Sequence, residues 1–207
     1  MMIQIRRMRS MSFPGLVLAA VALVGSAAEA APPKPAKKYH LELTAVSAKP
    51  EVKPDVAKAA TPRVEAQIKK LFGNHPQLVT ALPGAPDPRS NADGYRKYLA
   101  KTGVAGAYLV TVEITDASEE LVPVEDKSGA QRLVIRVAIH MLGETIPGRT
   151  MGFTGDGKAT IKQEVGVKLR DRDREYTWDQ AAELAVDDAM KTVFQQLAAP
   201  AKPKPKP

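Results

Sequence analysis

The sequence predicts a single two-layer α/β domain: a mixed sheet of about five strands with helices packed on it, in the order β-α-β-α-β-β-β-α. Three observations carry this. In Arg132–Leu142, Leu133, Ile135, Val137, Ile139 and Met141 alternate with Arg132, Val134, Arg136, Ala138 and His140, the period of a strand with one face in a core. The segments Val104–Thr115 and Ala159–Lys168 alternate in the same way, so three consecutive strands form an antiparallel meander. Apolar residues at helical spacing stand before and after them. A chain of 207 residues, 44% hydrophobic, supports one such core.

The two ends lie outside that domain. Residues 1–30 have the form of an export signal: Arg6, Arg7 and Arg9 lead into the apolar run Leu16–Val24, and Ala28-Glu29-Ala30 offers a small-x-small cleavage site. The run is shorter than the roughly 20 residues that span a bilayer, so cleavage after Ala30 is expected, with Sec-type export and a periplasmic or secreted product that keeps no transmembrane segment. Residues 31–38 (APPKPAKK) and 199–207 (APAKPKPKP) are Pro/Lys-rich, a composition that stays extended and buries no core. They read as a linker and a disordered tail whose lysines can touch an anionic surface. The α/β domain then occupies residues 39–198.

Tyr39–Val46 alternates as a first strand. Thr61-Pro62 has the form of a helix start, and Val64, Ile68, Leu71 and Phe72 fall on one face before Gly73. Gln77–Leu82 predicts a short strand closed by Pro83-Gly84. Asn91 caps a second helix carrying Tyr95, Tyr98 and Leu99, which Gly103 ends. Val104–Thr115 buries Tyr108, Val110, Val112 and Ile114, and Asp116–Ala130 reads as an acidic loop leading to the central strand. Pro147-Gly148 makes a turn. Ile161, Val165 and Val167 mark the inner face of the next strand. Beyond the charged run Asp171–Glu175, Thr177 and Gln180 form a capping box for the last helix, whose stripe is Trp178, Ala182, Ala185, Val186, Ala189, Val193 and Leu197.

This order of elements, together with the export signal, resembles the small α/β domain of the TolB amino-terminal region, of the periplasmic lipoprotein LpoB and of CsgG-type secretion proteins, over roughly residues 39–198. The resemblance implies a periplasmic envelope domain. The lipoproteins among those proteins depend on a Cys, and this sequence has none. A lipid-modified Cys, disulfides, thiol catalysis and Cys-ligated zinc are excluded with it.

The net charge of +7 resides in the ends. Setting aside residues 1–30, 31–38 and 199–207 leaves 21 basic against 22 acidic residues, so the domain lacks the basic excess of a nucleic-acid binder. Gly152–Ala159 (GFTGDGKA) misses the phosphate-cradling pattern GxxxxGK[ST] at its last position, where Ala159 replaces the hydroxyl, and a strand pattern follows where a helix is needed. It reads as a glycine bulge or tight turn. His40, His75 and His140 lack metal-pair spacing. Asp171, Asp173 and Glu175 lack the glycine and distal glutamate of a calcium loop. Ser47, Ser90, Ser118 and Ser128 stand in no GxSxG turn, and Asp187 and Asp188 are adjacent on a helix, pointing apart. No catalytic residue, cofactor site or metal site is predicted.

What remains is the polar face of the sheet, gathering Thr111, Glu113, Arg132, Val134, Arg136, His140, Thr160, Lys162 and Glu164. Arg132, Arg136, His140 and Lys162 are the candidate partner-binding residues, because an antiparallel sheet can leave one face free and arginine is favoured at interfaces. The same arginines could instead pair with Glu113 or Glu164. The predicted function is a non-catalytic, exported adaptor that binds an envelope protein or polymer. The alternative is an exported enzyme or small-ligand-binding protein whose site is assembled only in three dimensions.

Overall fold

A computed structural model describes residues 36–125 and 129–199. The predicted signal 1–30, most of the linker 31–38 and the tail beyond Ala199 lie outside the described residues.

Four strands form one mixed sheet in the order β1-β2-β3-β4: β1 (Lys38–Ala48), β2 (Val104–Pro123), β3 (Gln131–Ile146) and β4 (Met151–Val165). The β1–β2 pair is parallel and the other two pairs are antiparallel. Helices α1 (Pro54–Asn74), α2 (Ala92–Thr102) and α3 (Asp171–Ala198) complete the domain. The meander and the apolar face of β3 follow the sequence pattern: Leu133, Ile135, Val137, Ile139 and Met141 are all buried. They meet Val64, Ile68 and Phe72 of α1 and the whole predicted stripe of α3 in one core. All of this lies on one face of the sheet, the inner face.

The expected fifth strand is absent from the described residues. Gln77–Leu82 forms one isolated bridge, Leu78 to Tyr39; Tyr39 donates its N–H to the Gln77 carbonyl at 2.9 Å and Val79 donates to the Tyr39 carbonyl at 2.8 Å. The segment then leaves the sheet, because Val79, Leu82 and Ala85 pack with α2.

Helix α1 begins at Pro54, well before the expected Thr61-Pro62 start. Ala60, one turn before Val64, already belongs to its buried stripe. Pro62 is tolerated in the interior because it and Lys58, whose carbonyl it deprives of an amide donor, are both exposed. Helix α3 likewise starts early, at Asp171. Arg170 and Asp173 pair at 2.7 Å across its first turn, so the charged run is helix. Thr177 is therefore an interior residue and makes no cap; its buried hydroxyl lies 2.6 Å from both the Asp173 carbonyl and Gln163 Oε1. The Asn91 cap and the Gly103 stop of α2 are as expected, with Asn91 Oδ1 accepting from Gly94 N at 2.9 Å and Gly103 left-handed at φ 73°.

The expected acidic loop is largely strand, since Asp116–Pro123 continues β2 in register with Gln131–Ala138. A bulge between Ile114 and Asp116 changes which residues face inward. Before it Val110, Val112 and Ile114 point into the core; after it Ala117 and Glu119 do. Glu119 accepts from Trp178 Nε1 at 2.7 Å and from Arg174 Nε at 2.8 Å, which ties β2 to α3.

Strand β4 starts at Met151, earlier than expected, and ends at Val165, so Val167 is 79% exposed and plays no part in the inner face. The glycine-rich stretch carries the expected bulge at its first residue, Gly152, where the register shifts between Gly143 and Glu144; from Phe153 on it is regular strand. A Cβ on Gly157 would strike the Ala185 carbonyl, and one on Gly155 would lie 2.8 Å from the Ala189 carbonyl oxygen and 2.7 Å from Val193 Cγ2. These glycines let the α3 backbone lie directly on β4. Side chains of α3 also reach round the edge: Gln196 accepts from Thr154 N at 3.1 Å and donates to its carbonyl at 2.7 Å, and Asp188 accepts from Lys158 N at 3.2 Å.

Candidate functional site

The other face of the sheet is not left entirely free. Ala107 and Ile146, a cross-strand pair with outer-face parity, pack with Val104, Tyr95 and Leu99 in a second, smaller core. Helix α2 therefore covers one end of the outer face. Sequence periodicity shows that a helix has an apolar stripe but not which side of a sheet receives it, so the expectation of a wholly open face is corrected here.

Over the remaining outer face the register brings the predicted residues together. Arg132, Arg136 and His140 alternate along β3, and Lys162 of β4 lies opposite Val134, between Arg132 and Arg136. Each of the three β3 groups has a partner within the sheet: Arg132 Nη2 lies 3.5 Å from Glu164, Arg136 Nη1 2.8 Å from Glu120 and 3.3 Å from Ser118 Oγ, and His140 Nδ1 2.8 Å from Asp156. Lys162 has no ion pair among the described residues. Glu113 pairs with Lys49 at 3.8 Å rather than with an arginine. The result is a ladder of opposite charges, each partly exposed, with the Lys162 ammonium at its centre. Exposed pairs of this kind contribute about 0.2–1 kcal/mol each. They can open toward a partner at little cost.

Where α2 meets the sheet, a cleft of about 650 Å³ opens between the start of α2 and the β3–β4 turn. Its apolar floor is Leu109, Ile146 and Pro147, and its rim carries Arg89, Arg96, Arg149 and Glu42. Arg96 pairs with Asp93 at 2.9 Å and Arg149 with Glu144 at 2.6 Å. Asp87, the acid nearest to Arg89 in sequence, is committed to its own loop: the Arg89 backbone N–H and the Ser90 hydroxyl hold its carboxyl below the usual carboxylate range. The Arg89 guanidinium has no ion pair among the described residues. This cleft was not legible in the sequence, since its three arginines come from a loop, a helix and a hairpin turn. The nearest signal is that Arg89 and Arg96 bracket the Asn91 cap, and on its own that spacing says nothing of a third arginine arriving from the turn.

The histidines and carboxylates remain dispersed. His40 Nδ1 contacts the Val79 carbonyl at 2.7 Å, and His75 stacks on Phe194 with ring centroids 4.2 Å apart. Among the described residues no group of three or more His, Asp or Glu side chains could hold a metal ion, and no helix is long and apolar enough to cross a membrane.

The sequence matches no family model and no curated protein. Among solved structures the chain is similar to the rare lipoprotein B of Shewanella oneidensis (14% identity, TM-score 0.40, covering 77% of this chain and 99% of that one). It is also similar to a minor lipoprotein of Acinetobacter baumannii (17%, 0.38, 78% and 92%), and to a Xanthomonas campestris protein of the DUF330 family (10%, 0.43, 80% and 90%).

Proposed function

We propose that this is an exported, non-catalytic adaptor of the cell envelope that binds a protein or polymer through the uncovered part of the outer sheet face. The observation that carries the reading is the uneven cover of the sheet. Helices α1 and α3 both pack on the inner face, whereas α2 takes only one end of the outer face. That leaves a regular, charge-bearing surface around Arg132, Arg136, His140 and Lys162. A flat array of arginines, with a lysine that has no ion pair among the described residues, suits carboxylates or other anionic groups presented by a large partner.

A photo-cross-linking residue at position 136, compared with one at the exposed α1 position Lys69, tests this in intact cells. The expected result is a discrete adduct from position 136 alone, lost when Arg132 and Lys162 are changed to Glu, with the melting temperature nearly unchanged. Equal adducts from both positions, or none from 136, would return the face to a solvated surface. The exported protein is expected to begin at Ala31, and an intact mass that retains residues 1–30 would refute that.

The cleft supports a second reading, a small-ligand-binding protein. Three arginine side chains over an apolar floor suit a compact carboxylate with an apolar body. Chemical-shift changes at Leu109 and Ile146 on adding such acids, abolished by Arg89→Ala, would favour this reading over the sheet face.

A further inference from the structure

The cleft over Leu109, Ile146 and Pro147 does not stop at the start of α2. A second cleft of about 560 Å³ adjoins it, and the two share Arg96, Thr145, Ile146 and Pro147. The sheet itself makes this opening. Pairing between β2 and β3 begins at Ala107 and Ile146, so Val104–Gly106 reach past the end of β3 with β1 as their only neighbouring strand. The chain turns at Pro147 and Gly148 into β4, and the space that a longer β3 would fill stays open.

The two clefts differ in character. The first carries Arg89, Arg96 and Arg149, with Glu42 as the one acid in its lining. The second adds Leu99, Ala100, Val104 and Ala107 to the shared border, and among the described residues Arg96 is the only charged side chain that lines it. Charge therefore gathers at one end of the pair and apolar surface at the other. Of the three arginines, Arg96 and Arg149 are engaged by Asp93 and Glu144, whereas Arg89 has no ion pair among the described residues. An incoming anion meets a guanidinium there without displacing a resident acid.

We propose that the joined clefts bind an aliphatic chain ending in a carboxylate, a ligand of the fatty-acid kind, with its head at Arg89 and its tail carried over the shared border onto Ala107 and Val104. The inference rests on the reading of the first cleft as a small-ligand site and is independent of the sheet face. A compact acid would fill the first cleft and leave the apolar wall of the second in water. An alkyl tail covers that wall and asks no hydrogen bond of it. The head is suited to guanidinium, which grips a planar carboxylate through two parallel N–H donors.

The test is calorimetric titration of the exported protein with octanoate, decanoate and dodecanoate below their micelle-forming concentrations, with benzoate as the compact acid. Affinity is expected to rise about two- to fourfold with each methylene added, four being the value for complete burial. Arg89→Ala should weaken every acid by about tenfold or more, and dodecanol should bind the wild type more weakly than dodecanoate by a similar factor. Ala100 is an exposed helix position on the second cleft, so Ala100→Trp should keep the melting temperature, remove the gain with chain length and leave benzoate binding unchanged. Benzoate bound as tightly as dodecanoate would overturn the proposal and leave the small-ligand reading standing. No binding of benzoate or of any alkanoate would overturn both. Dodecanol bound as tightly as dodecanoate, a gain with length that survives Ala100→Trp, or tighter binding of an acetylated Leu-Leu-Leu-Glu peptide than of dodecanoate would each refute the fatty-acid assignment.

Discussion

Replacing Gly157 with alanine puts the helix-on-strand contact to a direct test. In most strands a glycine-to-alanine change removes a residue that is unfavourable by roughly 0.5–1 kcal/mol, so the default expectation is a gain. Here the sign reverses. The added methyl would strike the Ala185 carbonyl and lie 2.7 Å from Ala189 N and 2.9 Å from Ala189 Cβ. Two of these three obstacles are helix backbone, which cannot rotate away. Helix α3 would have to lift off β4 while its stripe from Trp178 to Leu197 stays packed against the rest of the core. Overpacking a well-filled core costs about 1–3 kcal/mol, and a backbone obstacle belongs at the upper end. For a domain of this size that is a fall in melting temperature of about 6–12 °C. The control is Gly166→Ala, where nothing lies within 4 Å of the added methyl and the melting temperature should hold or rise slightly. Thermal unfolding followed by circular dichroism reads both. A Gly157→Ala protein that melts with the wild type would mean that α3 does not lie on β4 as described.

Three further outcomes follow from the packing. Ile135→Asp should abolish cooperative unfolding, because Ile135 is fully buried and an unpaired carboxylate there costs several kcal/mol, whereas Arg136→Asp should stay folded; equal loss in both would contradict the two-faced strand. Glu119→Ala leaves the buried Trp178 N–H without its acceptor and should cost about 1–3 kcal/mol in urea unfolding, with Glu119→Gln recovering most of it. Burial pushes His75 below its ordinary value of about 6.5, so the fold favours the neutral ring: its contribution to stability is complete above that value and is lost as pH falls from there through the depressed folded value. The melting temperature of the wild type should therefore fall more steeply on acidification than that of His75→Phe, which keeps the stack on Phe194; parallel profiles would refute this.

Residues whose side chains obey a simple period told the most in advance. The alternation in β3 and the stripe of α3 were readable because burial on one face imposes the spacing directly. Errors arose where a local signal was overridden from a distance. The acids of Asp116–Glu120 read as loop because no sequence pattern shows that Glu119 turns in to Trp178 or that Glu120 turns out to Arg136. Thr61-Pro62 and Thr177 carry the chemistry of helix starts, yet apolar contacts one turn earlier, and the Arg170–Asp173 pair, extend both helices past them. Gly155 and Gly157 imitated a phosphate loop because close approach to a helix and close approach to a phosphate both call for a missing Cβ. The four candidate site residues were brought onto one face as expected. Their ion-pair partners on β2 and β4 were only partly anticipated, through Glu164, because cross-strand neighbours depend on register and on the bulge after Ile114.

The two rims of the sheet bear on how the molecule behaves in a crowd of its own copies. A strand rim with idle amides and carbonyls is a template for a foreign strand. On β4, Gln196 mimics a neighbouring peptide by both accepting from and donating to Thr154, and Asp188 occupies the Lys158 amide. On β1, the residues that failed to become a fifth strand occupy both backbone groups of Tyr39 and then turn away. Each plug is made from side chains or from a scrap of loop, so neither offers a new rim in its place. Self-templating is thereby blocked at these positions on both sides of the sheet. Copies brought rim to rim find these templating groups already occupied, so strand pairing has no start there.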